Sequence, residues 1–374
     1  MQYQKSLDGV RGLAILLVVV FHYNHLLEAG WVGVQLFFVL SGFLITSILL
    51  EDKKHQPLDD YLKGFYWRRT LRIFPVYYLY LLAVVGVYIL TSLPENFAQT
   101  APFLLTYTYN LFPLFYDFSF DMFFTHFWSL SIEEQFYLLW PLVIYFFNLR
   151  ALRVVLIVIL IGAPITRYFI GEYLIAEGRL APEFIGETVY RFTLGQWDSF
   201  AFGAAIPLFG LNTRVKRPGW LFAGAMALLI IGGVWNYVTQ LAINPNLGIT
   251  SLGYPIGSML NAQHIWSYTV LGFAAMALII FTVKSHSMPI FENRIMVLFG
   301  KLSYGLYVYH WFLKVVSGKI LEPYLPAPVA FTIYIVLCIG VSYVSYRVLE
   351  QPLLALKGRF FARKAVTASS SVKA

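Results

Sequence analysis

Residues 7–27, with the sequence LDGVRGLAILLVVVFHYNHLL, are long and apolar enough to cross a membrane, yet they contain Arg11 and His22. A charged side chain in lipid is costly and usually faces a cavity or a partner. Eleven residues make roughly three helical turns, so the two side chains share one helix face, about 16 Å apart along the axis. We therefore expect both to point into one polar cavity.

The composition indicates a membrane protein. Hydrophobic residues make up 59% of the 374 residues and charged residues 12%, whereas soluble domains carry about a quarter charged residues. At about 20 residues per crossing, the length allows about ten spans and no large soluble domain. The predicted fold is all-α, a polytopic integral membrane bundle of about ten transmembrane helices. The single cysteine, Cys338, cannot form an internal disulfide.

The apolar runs place the predicted membrane spans. They lie near 7–27, 33–50, 74–92, 127–147, 151–170, 193–210, 219–240, 263–283, 296–317 and 327–346. The basic segments between them all fall on one side, at 53–72, 150–153, 214–217, 284–301 and 347–364. By the positive-inside rule this side and both termini are cytoplasmic. The net charge of +8 then reflects this asymmetry and contact with anionic membrane lipid, and no nucleic acid partner is expected.

The chain is predicted to contain one transmembrane domain at 1–360 and a disordered cytoplasmic tail at 361–374. The first span lacks a small-residue cleavage pattern, so we expect it to be retained rather than removed as a signal peptide. On the outer side, residues 103–124 are too apolar for a free loop and should pack into the bundle. The sequence shows no internal repeat, which argues against a transporter built from duplicated halves.

The charged residues of the first span have simpler explanations as well. Asp8 lies one turn before Arg11, so the two could form a structural ion pair at the membrane boundary. His22 could be a lone histidine that hydrogen-bonds a neighbouring helix. His25, one turn beyond His22, is expected at the interface. In the second span, Ser41-Gly42 should allow a close approach of two helices.

A basic cluster precedes the third span. Arg69 and Arg72 lie one helical turn apart, with Arg68 beside them. Two guanidiniums at this spacing can hold a phosphate, although ordinary positive-inside anchoring explains them too. Pro75 is expected in the first turn of that span.

The fourth span opens on the outer side with HFWSLSIEEQFYLLWP, residues 126–141. Ser131 and Glu134 have the spacing of a capping box, which gives Glu134 a structural explanation. Glu133 faces another direction. At the outer mouth of the bundle its carboxylate could orient an imidazole or take a proton from a hydroxyl.

Six motifs in order along the chain resemble the membrane-bound acyltransferase family 3. They are Arg11-x10-His22, FFVLSGFL at 37–44, Arg69-x-x-Arg72, WSLSIEEQFY at 128–137, SYGLYVYH at 303–310 and SYRVLEQP at 345–352. The resemblance implies an inner-membrane enzyme of ten spans. Such an enzyme moves an acyl group, often acetyl, from cytoplasmic coenzyme A to a hydroxyl of an extracytoplasmic carbohydrate or glycolipid.

The resemblance also implies roles for residues. The Arg-x10-His pair is required for activity in the family, and Arg-x-x-Arg is associated with the donor. We therefore expect His22 to act as general base, assisted by Glu133, and Arg11, Arg69 and Arg72, with Arg68 beside them, to hold the acyl-CoA phosphates. An extended pantetheine arm of roughly 20 Å is comparable with the helical distance from Arg11 to His22. The thioester could thus reach His22 from the cytoplasmic side.

Contacts with the acceptor are predicted for a further set of residues. These are Asp8, Trp128, Glu134, Asp198, Tyr304 and His310. Asp198 could instead pair with Arg191 or another buried cation, and His310 could have a packing role. Glu350 stands where the resembled family often has an acid.

The expected donor is acetyl-CoA or another acyl-CoA. No metal is expected, because the seven histidines are scattered and form no ligand motif. Since no fused outer hydrolase-like domain is visible, the acyl group is expected to go directly to the final acceptor or to a separate extracytoplasmic transferase. The alternative from another class is a transporter or flippase that moves a lipid-linked sugar or acyl donor without bond chemistry.

Overall fold

The protein is described by a computed structural model that covers residues 3–23, 25–92, 94, 96–116, 123–245, 247–285 and 287–356. These ranges are predominantly helical and contain no β-strand. The all-α prediction is therefore confirmed. The predicted disordered tail at 361–374 lies outside the described residues.

The α-helices of the described residues are numbered in chain order. The first seven are α1 Lys5–His22, α2 Val32–His55, α3 Leu58–Leu90, α4 Phe97–Leu105, α5 Phe127–Phe146, α6 Leu149–Glu177 and α7 Pro182–Arg191. The others are α8 Thr193–Leu208, α9 Leu211–Arg214, α10 Pro218–Leu241, α11 Gln263–Lys284, α12 Pro289–Glu292, α13 Arg294–Ile320 and α14 Ala327–Ser345. A 3-10 turn at Glu28–Trp31 precedes α2, and a π-helical turn at Tyr346–Glu350 follows α14.

Each predicted span overlaps a long helix, and six helical segments of the described chain are long and apolar enough to cross a membrane. They are Glu28–His55, Leu58–Leu90, Leu149–Glu177, Pro218–Leu241, Leu260–Lys284 and Ala327–Leu356. The chain is thus a multi-pass membrane protein. The remaining overlapping helices are α1, α5, α8 and α13. Helix α8 has 16 residues, and the other three carry charged residues. The count of ten spans and the cytoplasmic termini stay predictions.

The chain divides into two compact units. The first contains Met1–Lys54 and Glu95–Ser303, and the second contains His55–Pro94 and Tyr304–Ala374. The first unit therefore holds α1, α2 and α4 to α12. The second holds α3 and α14, and the division falls within α13.

Helices α2 and α8 of the first unit pack backbone to backbone at two glycines. A Cβ atom on Gly42 would lie 2.1 Å from the carbonyl oxygen of Phe200, and one on Gly203 would lie 2.0 Å from that of Val39. No larger residue fits at such distances without moving a helix. The predicted role of Gly42 in close helix approach is confirmed.

Helices α1 and α2 also meet at glycines, and the contacts give their relative direction. A Cβ atom on Gly30 would lie 2.3 Å from the carbonyl oxygen of Leu17, and one on Gly33 would lie 2.3 Å from that of Ala14. From Gly30 to Gly33 the facing residue on α1 moves back from Leu17 to Ala14. The two helices run antiparallel, so each step along α2 corresponds to a step back towards the N-terminus of α1.

The first predicted span ends earlier than expected. Helix α1 stops at His22, Tyr23 is extended, and His25 has a φ of 53°. The prediction that His25 lies one turn further on the same helix was wrong, because the chain reverses there to enter α2. His25 is exposed outside the helix.

The third predicted span is the second half of a longer helix. Helix α3 has 33 residues and begins directly after Pro57, so it is about 50 Å long. Pro75 therefore lies in its interior, and its predicted place in a first turn was wrong, since nothing between Leu58 and Pro75 breaks the helix. Pro75 cannot donate to the carbonyl of Leu71. Two residues further, the Ile73 carbonyl accepts a hydrogen bond from the Tyr304 hydroxyl at 2.6 Å.

The apolar connection before α5 packs into the first unit, as predicted, in its described parts. Tyr109, Phe112 and Phe124 are at most 1% exposed. The Asn110 amide donates to Thr193 Oγ1 at 2.8 Å and accepts from Gln135 at 2.9 Å. This amide network joins the connection to α5 and α8.

The α2–α8 contact predicts a marked effect of Gly203→Ala. The added methyl group would collide with backbone atoms of α2, so we expect a loss of about 1–3 kcal/mol in the free energy of unfolding. Thermal unfolding of the detergent-solubilised protein measures it. The control is Gly162→Ala in α6, where no atom lies within 4 Å of the new Cβ atom. Equal melting temperatures for the two variants would contradict the close packing.

Candidate functional site

The predicted site residues fall into both units. The first unit contains the α1 residues Asp8, Arg11 and His22, the α5 residues Trp128, Glu133 and Glu134, and Asp198 of α8. The second unit contains the α3 residues Arg68, Arg69 and Arg72, and the α13 residues Tyr304 and His310.

Arg11 and His22 lie on one face of α1, as the spacing predicted. The helix is continuous from Lys5 to His22, and both side chains are half-buried. On the same face between them, Ile15 and Val18 are completely buried. The face that joins the two polar residues is therefore covered by protein rather than exposed to lipid.

The ion pair that the sequence allowed between Asp8 and Arg11 is present. Arg11 Nη1 lies 3.2 Å from Asp8 Oδ1, and the Tyr3 hydroxyl donates to Asp8 Oδ2 at 2.6 Å. The Arg11 side chain remains 24% exposed. The pair thus orients Arg11 without burying its charge.

The capping box predicted at Ser131 and Glu134 is absent. Helix α5 already begins at Phe127, so Ser131 lies in its second turn and its hydroxyl donates to the Phe127 carbonyl at 3.0 Å. The helix starts early because the preceding aromatic residues are packed, with Phe124 and Phe127 fully buried. A capping box therefore does not explain Glu134.

Glu133 is held by hydroxyl groups from two helices. Ser41 of α2 donates to Glu133 Oε1 at 2.7 Å, and Tyr137, one turn later on α5, donates to the same oxygen. Ser41 and Tyr137 are themselves 2.6 Å apart. Within the described residues these are the hydrogen bonds of Glu133, so it makes none with His22.

Glu133 lies level with the first turn of α1. Helix α5 runs parallel to α2. Ser41 bonds Glu133, and Thr46, five residues later on α2, bonds Trp140, seven residues later on α5. Ser41 lies eight residues, about 12 Å, beyond Gly33, which faces Ala14 on antiparallel α1. Counting eight residues back from Ala14 puts Ser41 level with Ser6 in the first turn of α1, about 24 Å from His22 along the axis. The predicted position of Glu133 at the outer mouth beside His22 was therefore wrong.

The other predicted α5 residues differ in burial. Trp128 is 6% exposed. Its ring packs edge-on against Phe38, with 6.2 Å between the ring centres, and is tilted against Tyr190, with 4.7 Å between the centres. Glu134 is half-buried. Trp128 thus belongs to the aromatic packing between α2, α5 and α7.

Asp198 forms a completely buried ion pair with Arg167. Arg167 Nη1 lies 2.9 Å from Asp198 Oδ2, and both side chains are 0% exposed. Arg167 also donates to the carbonyls of Gly195 and Ile265 and to Thr269. The pair ties α6 to α8 and α11.

The partner of Asp198 is thus the other buried cation that the sequence allowed, and Arg191 was the wrong alternative. Arg191 instead bonds Glu187 on its own helix at 2.8 Å. The sequence analysis overlooked Arg167. The signal was visible, because an arginine inside the predicted span 151–170 needs a partner.

A second buried polar connection joins α2 to α8. Gln35 donates to Gln196 at 2.7 Å and accepts from Ser199, and Gln196 donates to the Tyr190 carbonyl at 2.5 Å. All three side chains are at most 1% exposed. Sequence reasoning missed this group, since uncharged amides give a weak signal.

In the second unit, the arginines predicted to hold the donor follow one another along α3. Arg68, Arg69 and Arg72 are half-buried, and the guanidinium carbon of Arg69 lies 5.8 Å from the centre of the Phe65 ring. Arg72 makes no hydrogen bond or ion pair with the described residues. Its donor groups remain available for a ligand.

The second unit also contains a buried acid near its arginines. Glu350 is 4% exposed and ends the π-helical turn, a geometry frequent at functional sites. The charge of Arg72 acts on this carboxylate. A Cβ atom on Gly305 would lie 3.4 Å from Glu350 Oε1, so the glycine leaves room for the acid.

Tyr304 and His310 are bonded within the second unit. The Tyr304 hydroxyl binds the Ile73 carbonyl, as described above. His310 is completely buried, and its Nδ1 lies 2.7 Å from the Tyr307 carbonyl and 3.0 Å from that of Leu306. This placement is the one that a packing role predicts.

Comparison with known proteins gives a family and a set of relatives. The acyltransferase domain of family 3 matches residues 4–347. The O-acetyltransferase OatA of Staphylococcus aureus strain NCTC 8325 is 28% identical over 376 residues, covering 94% of this chain and 57% of OatA. Proteins of strains MSSA476 and MRSA252, provisionally named O-acetyltransferases, are 29% identical over 380 residues with the same coverage. The chain thus spans 57% of the length of these curated relatives. No solved structure matches it.

The Arg167–Asp198 pair predicts a large loss of stability for Arg167→Met. The substitution leaves the Asp198 charge buried without its partner, so we expect a loss of about 3–5 kcal/mol in the free energy of unfolding. Denaturant unfolding in detergent measures it. Glu187→Gln, which breaks the partly exposed pair with Arg191, is the control and should cost less than about 1 kcal/mol. Similar losses in both variants would refute the special cost of the buried pair.

Proposed function

The chain belongs to acyltransferase family 3, and we propose that it is an integral membrane O-acyltransferase, specifically an O-acetyltransferase. The acceptor is a hydroxyl of an extracytoplasmic carbohydrate or glycolipid. The observation that carries the proposal is the pair Arg11 and His22, eleven residues apart on the buried face of α1 in a chain matched by the family from 4 to 347.

The donor is acetyl-CoA or another acyl-CoA whose phosphates stay at the cytoplasmic side. Arg69 and Arg72, with Arg68 beside them, bind the phosphates, because guanidinium groups one turn apart can each donate to phosphate oxygens. The uncommitted donor groups of Arg72 support this role. Arg11, oriented by Asp8 and still partly exposed, offers a further positive charge on the face of α1 that carries His22.

His22 acts as general base on the acceptor hydroxyl. Its imidazole takes the hydroxyl proton while the oxygen bonds to the acyl carbon. The carbon–sulfur bond then breaks, and the proton passes to the leaving thiolate, so the products are the ester and free coenzyme A. The reaction consumes no other reactant, and no metal is invoked. His22 suits this role because it lies at the end of α1 and is half-buried.

The acceptor meets the protein near the outer end of α1. Of the residues predicted to contact it, Glu134 is half-buried, whereas Asp8, Asp198, His310, Tyr304 and Trp128 are engaged in internal contacts. We assign Asp198, Trp128 and His310 to holding the helices around the site. The acceptor then contacts groups beyond this set.

The proposed setting is the inner membrane, with ten spans and both termini in the cytoplasm. The distribution of basic residues supports this orientation. The acyl group passes either directly to the final acceptor or to a separate extracytoplasmic transferase.

The test of the activity is release of coenzyme A thiol from acetyl-CoA by the purified, detergent-solubilised protein. Removal of the base should lower turnover about 100-fold or more in His22→Ala. His25→Ala is the matched control, because His25 is exposed outside the helix. Binding of acetyl-CoA without thiol release or acyl transfer, in the presence of lipid-linked and free glycans, would instead favour a carrier.

The arginines predict a specific change in donor affinity. Arg72→Ala removes charge-assisted hydrogen bonds of about 1.5–3 kcal/mol, so KM for acetyl-CoA should rise about tenfold or more while kcat at saturating donor changes little. The control is Arg214→Ala, an exposed arginine in another basic segment. An unchanged KM in Arg72→Ala would remove Arg72 from the donor site.

A further inference from the structure

The chain reverses after α1 and brings an acid back to the level of His22. Helix α1 ends at His22, and Glu28 begins the 3-10 turn that leads into α2. A Cβ atom on Gly30, in the same turn, would lie 2.7 Å from Cβ of Phe21. The turn runs antiparallel to α1, and Glu28 lies two residues before Gly30, about 4 Å further along. Glu28 is therefore level with the last turn of α1.

The side chain of Glu28 extends towards the connection between α10 and α11. A Cβ atom on Gly248 would lie 2.6 Å from Glu28 Oε1 and 3.1 Å from Oε2, so the carboxylate occupies the space that a side chain at position 248 would fill. The turn itself is fixed, because Trp31 is 1% exposed and its indole N–H donates to the Tyr254 carbonyl at 2.9 Å. Glu28 thus lies where the turn after α1 meets this connection.

The carboxylate of Glu28 makes no hydrogen bond or ion pair with the described residues. The residue is only half-buried, so its surface is accessible to a ligand. By contrast, Asp8, Asp198 and Glu133 each bond a neighbouring side chain. Both oxygens of Glu28 consequently keep their capacity to accept hydrogen bonds at the level of the proposed base.

The chemistry of a carboxylate limits the ligand that Glu28 can bind. A carboxylate can only accept hydrogen bonds, so the ligand must donate them. The proposed acceptor of the acyl group is a carbohydrate, and each sugar ring carries neighbouring hydroxyl groups that are donors. The two oxygens of Glu28 can accept from one such hydroxyl or from an adjacent pair, in charge-assisted hydrogen bonds. While His22 takes the proton of the reacting hydroxyl, Glu28 can therefore hold a neighbouring hydroxyl of the same sugar.

We propose that Glu28 binds a hydroxyl group of the acceptor carbohydrate, next to the hydroxyl that receives the acyl group, and so selects which hydroxyl faces His22. The inference rests on the proposed function, because it takes His22 as the base and a carbohydrate as the acceptor. Gly248 serves this task by leaving room for the carboxylate. The acid that acts together with His22 is then Glu28, which follows it in the chain, and not Glu133.

The experiment measures acyl transfer from acetyl-CoA to the methyl glycosides of glucose, galactose and N-acetylglucosamine by the purified, detergent-solubilised protein. The best of these acceptors is then compared with its monodeoxy forms, each of which lacks one hydroxyl. In the wild type, loss of the hydroxyl that Glu28 holds should lower kcat/KM for the acceptor about tenfold or more. In Glu28→Ala the intact glycoside should show the same loss. Removal of that hydroxyl should then cause little further change, since the two groups form one interaction.

Gly248→Ala is a second variant, which leaves the acid in place. The added methyl group meets the end of the flexible Glu28 side chain, and Gly248 has a φ of −65°, which alanine adopts readily. Because the carboxylate must move, kcat/KM for the glycoside should fall although the charge is retained. In a Glu28→Ala background the same substitution should have no effect.

The matched control is Glu183→Ala, because Glu183 is an exposed acid in the first turn of α7. This variant should leave kcat/KM for the glycoside unchanged. In Glu28→Ala and Gly248→Ala, KM for acetyl-CoA should change less than about twofold and the melting temperature should match that of the wild type. A lower melting temperature with a raised KM for acetyl-CoA would mean that Glu28 only supports the fold, and would overturn the inference.

Two further outcomes are decisive. An unchanged kcat/KM for the glycoside in Glu28→Ala, with transfer intact in the wild type, would overturn the inference. Equal effects of Glu28→Ala on the intact and on every monodeoxy glycoside would do so too, because the acid would then act on something other than a sugar hydroxyl. Absence of transfer to any glycoside in the wild type would refute the carbohydrate acceptor of the proposed function itself.

Discussion

A polar group inside a membrane protein must find its partners within the protein, because lipid offers none. In the first unit this requirement sets which helices are neighbours. Arg167 reaches acceptors on α8 and α11, Gln35 joins α2 to α8, and Glu133 joins α5 to α2. Helices α5 and α8, which carry these partners, are among the described helices that are not both long and apolar enough to count as ordinary membrane spans. Their polar side chains are tolerated because they bond groups on other helices.

The polar connections depend in turn on glycines. Side-chain hydrogen bonds of 2.7–2.9 Å between helices require backbones that approach closely and do not shift. Gly42 and Gly203 give α2 and α8 that approach, and Gly33 does so for α1 and α2. A rigid frame of this kind suits a transfer reaction, in which donor and acceptor must be held in alignment. Helix α1, which carries Arg11 and His22, packs against α2 of this frame at Gly33.

Predictions from local sequence patterns were correct where the pattern is compatible with only one local structure. The spacing of Arg11 and His22 correctly predicted a shared buried face, because a continuous helix fixes it. The Ser131 capping pattern failed, since its spacing also fits a helix interior and the buried aromatic residues ahead of it moved the helix start. Pro75 failed for a similar reason, as a proline after a run of helix-forming residues also fits the interior of a long helix.

The sequence by itself determined the membrane-helical class, the positions of the long helices and the family, because these depend on composition, on period and on motifs read along one chain. Only the tertiary structure decided that Asp198 pairs with Arg167 and that Glu133 bonds Ser41 of α2, far from His22. Both facts depend on the relative direction and depth of helices far apart in the sequence. Periodicity within one helix carries no information about those quantities, which are set by the glycine contacts and hydrogen bonds between helices.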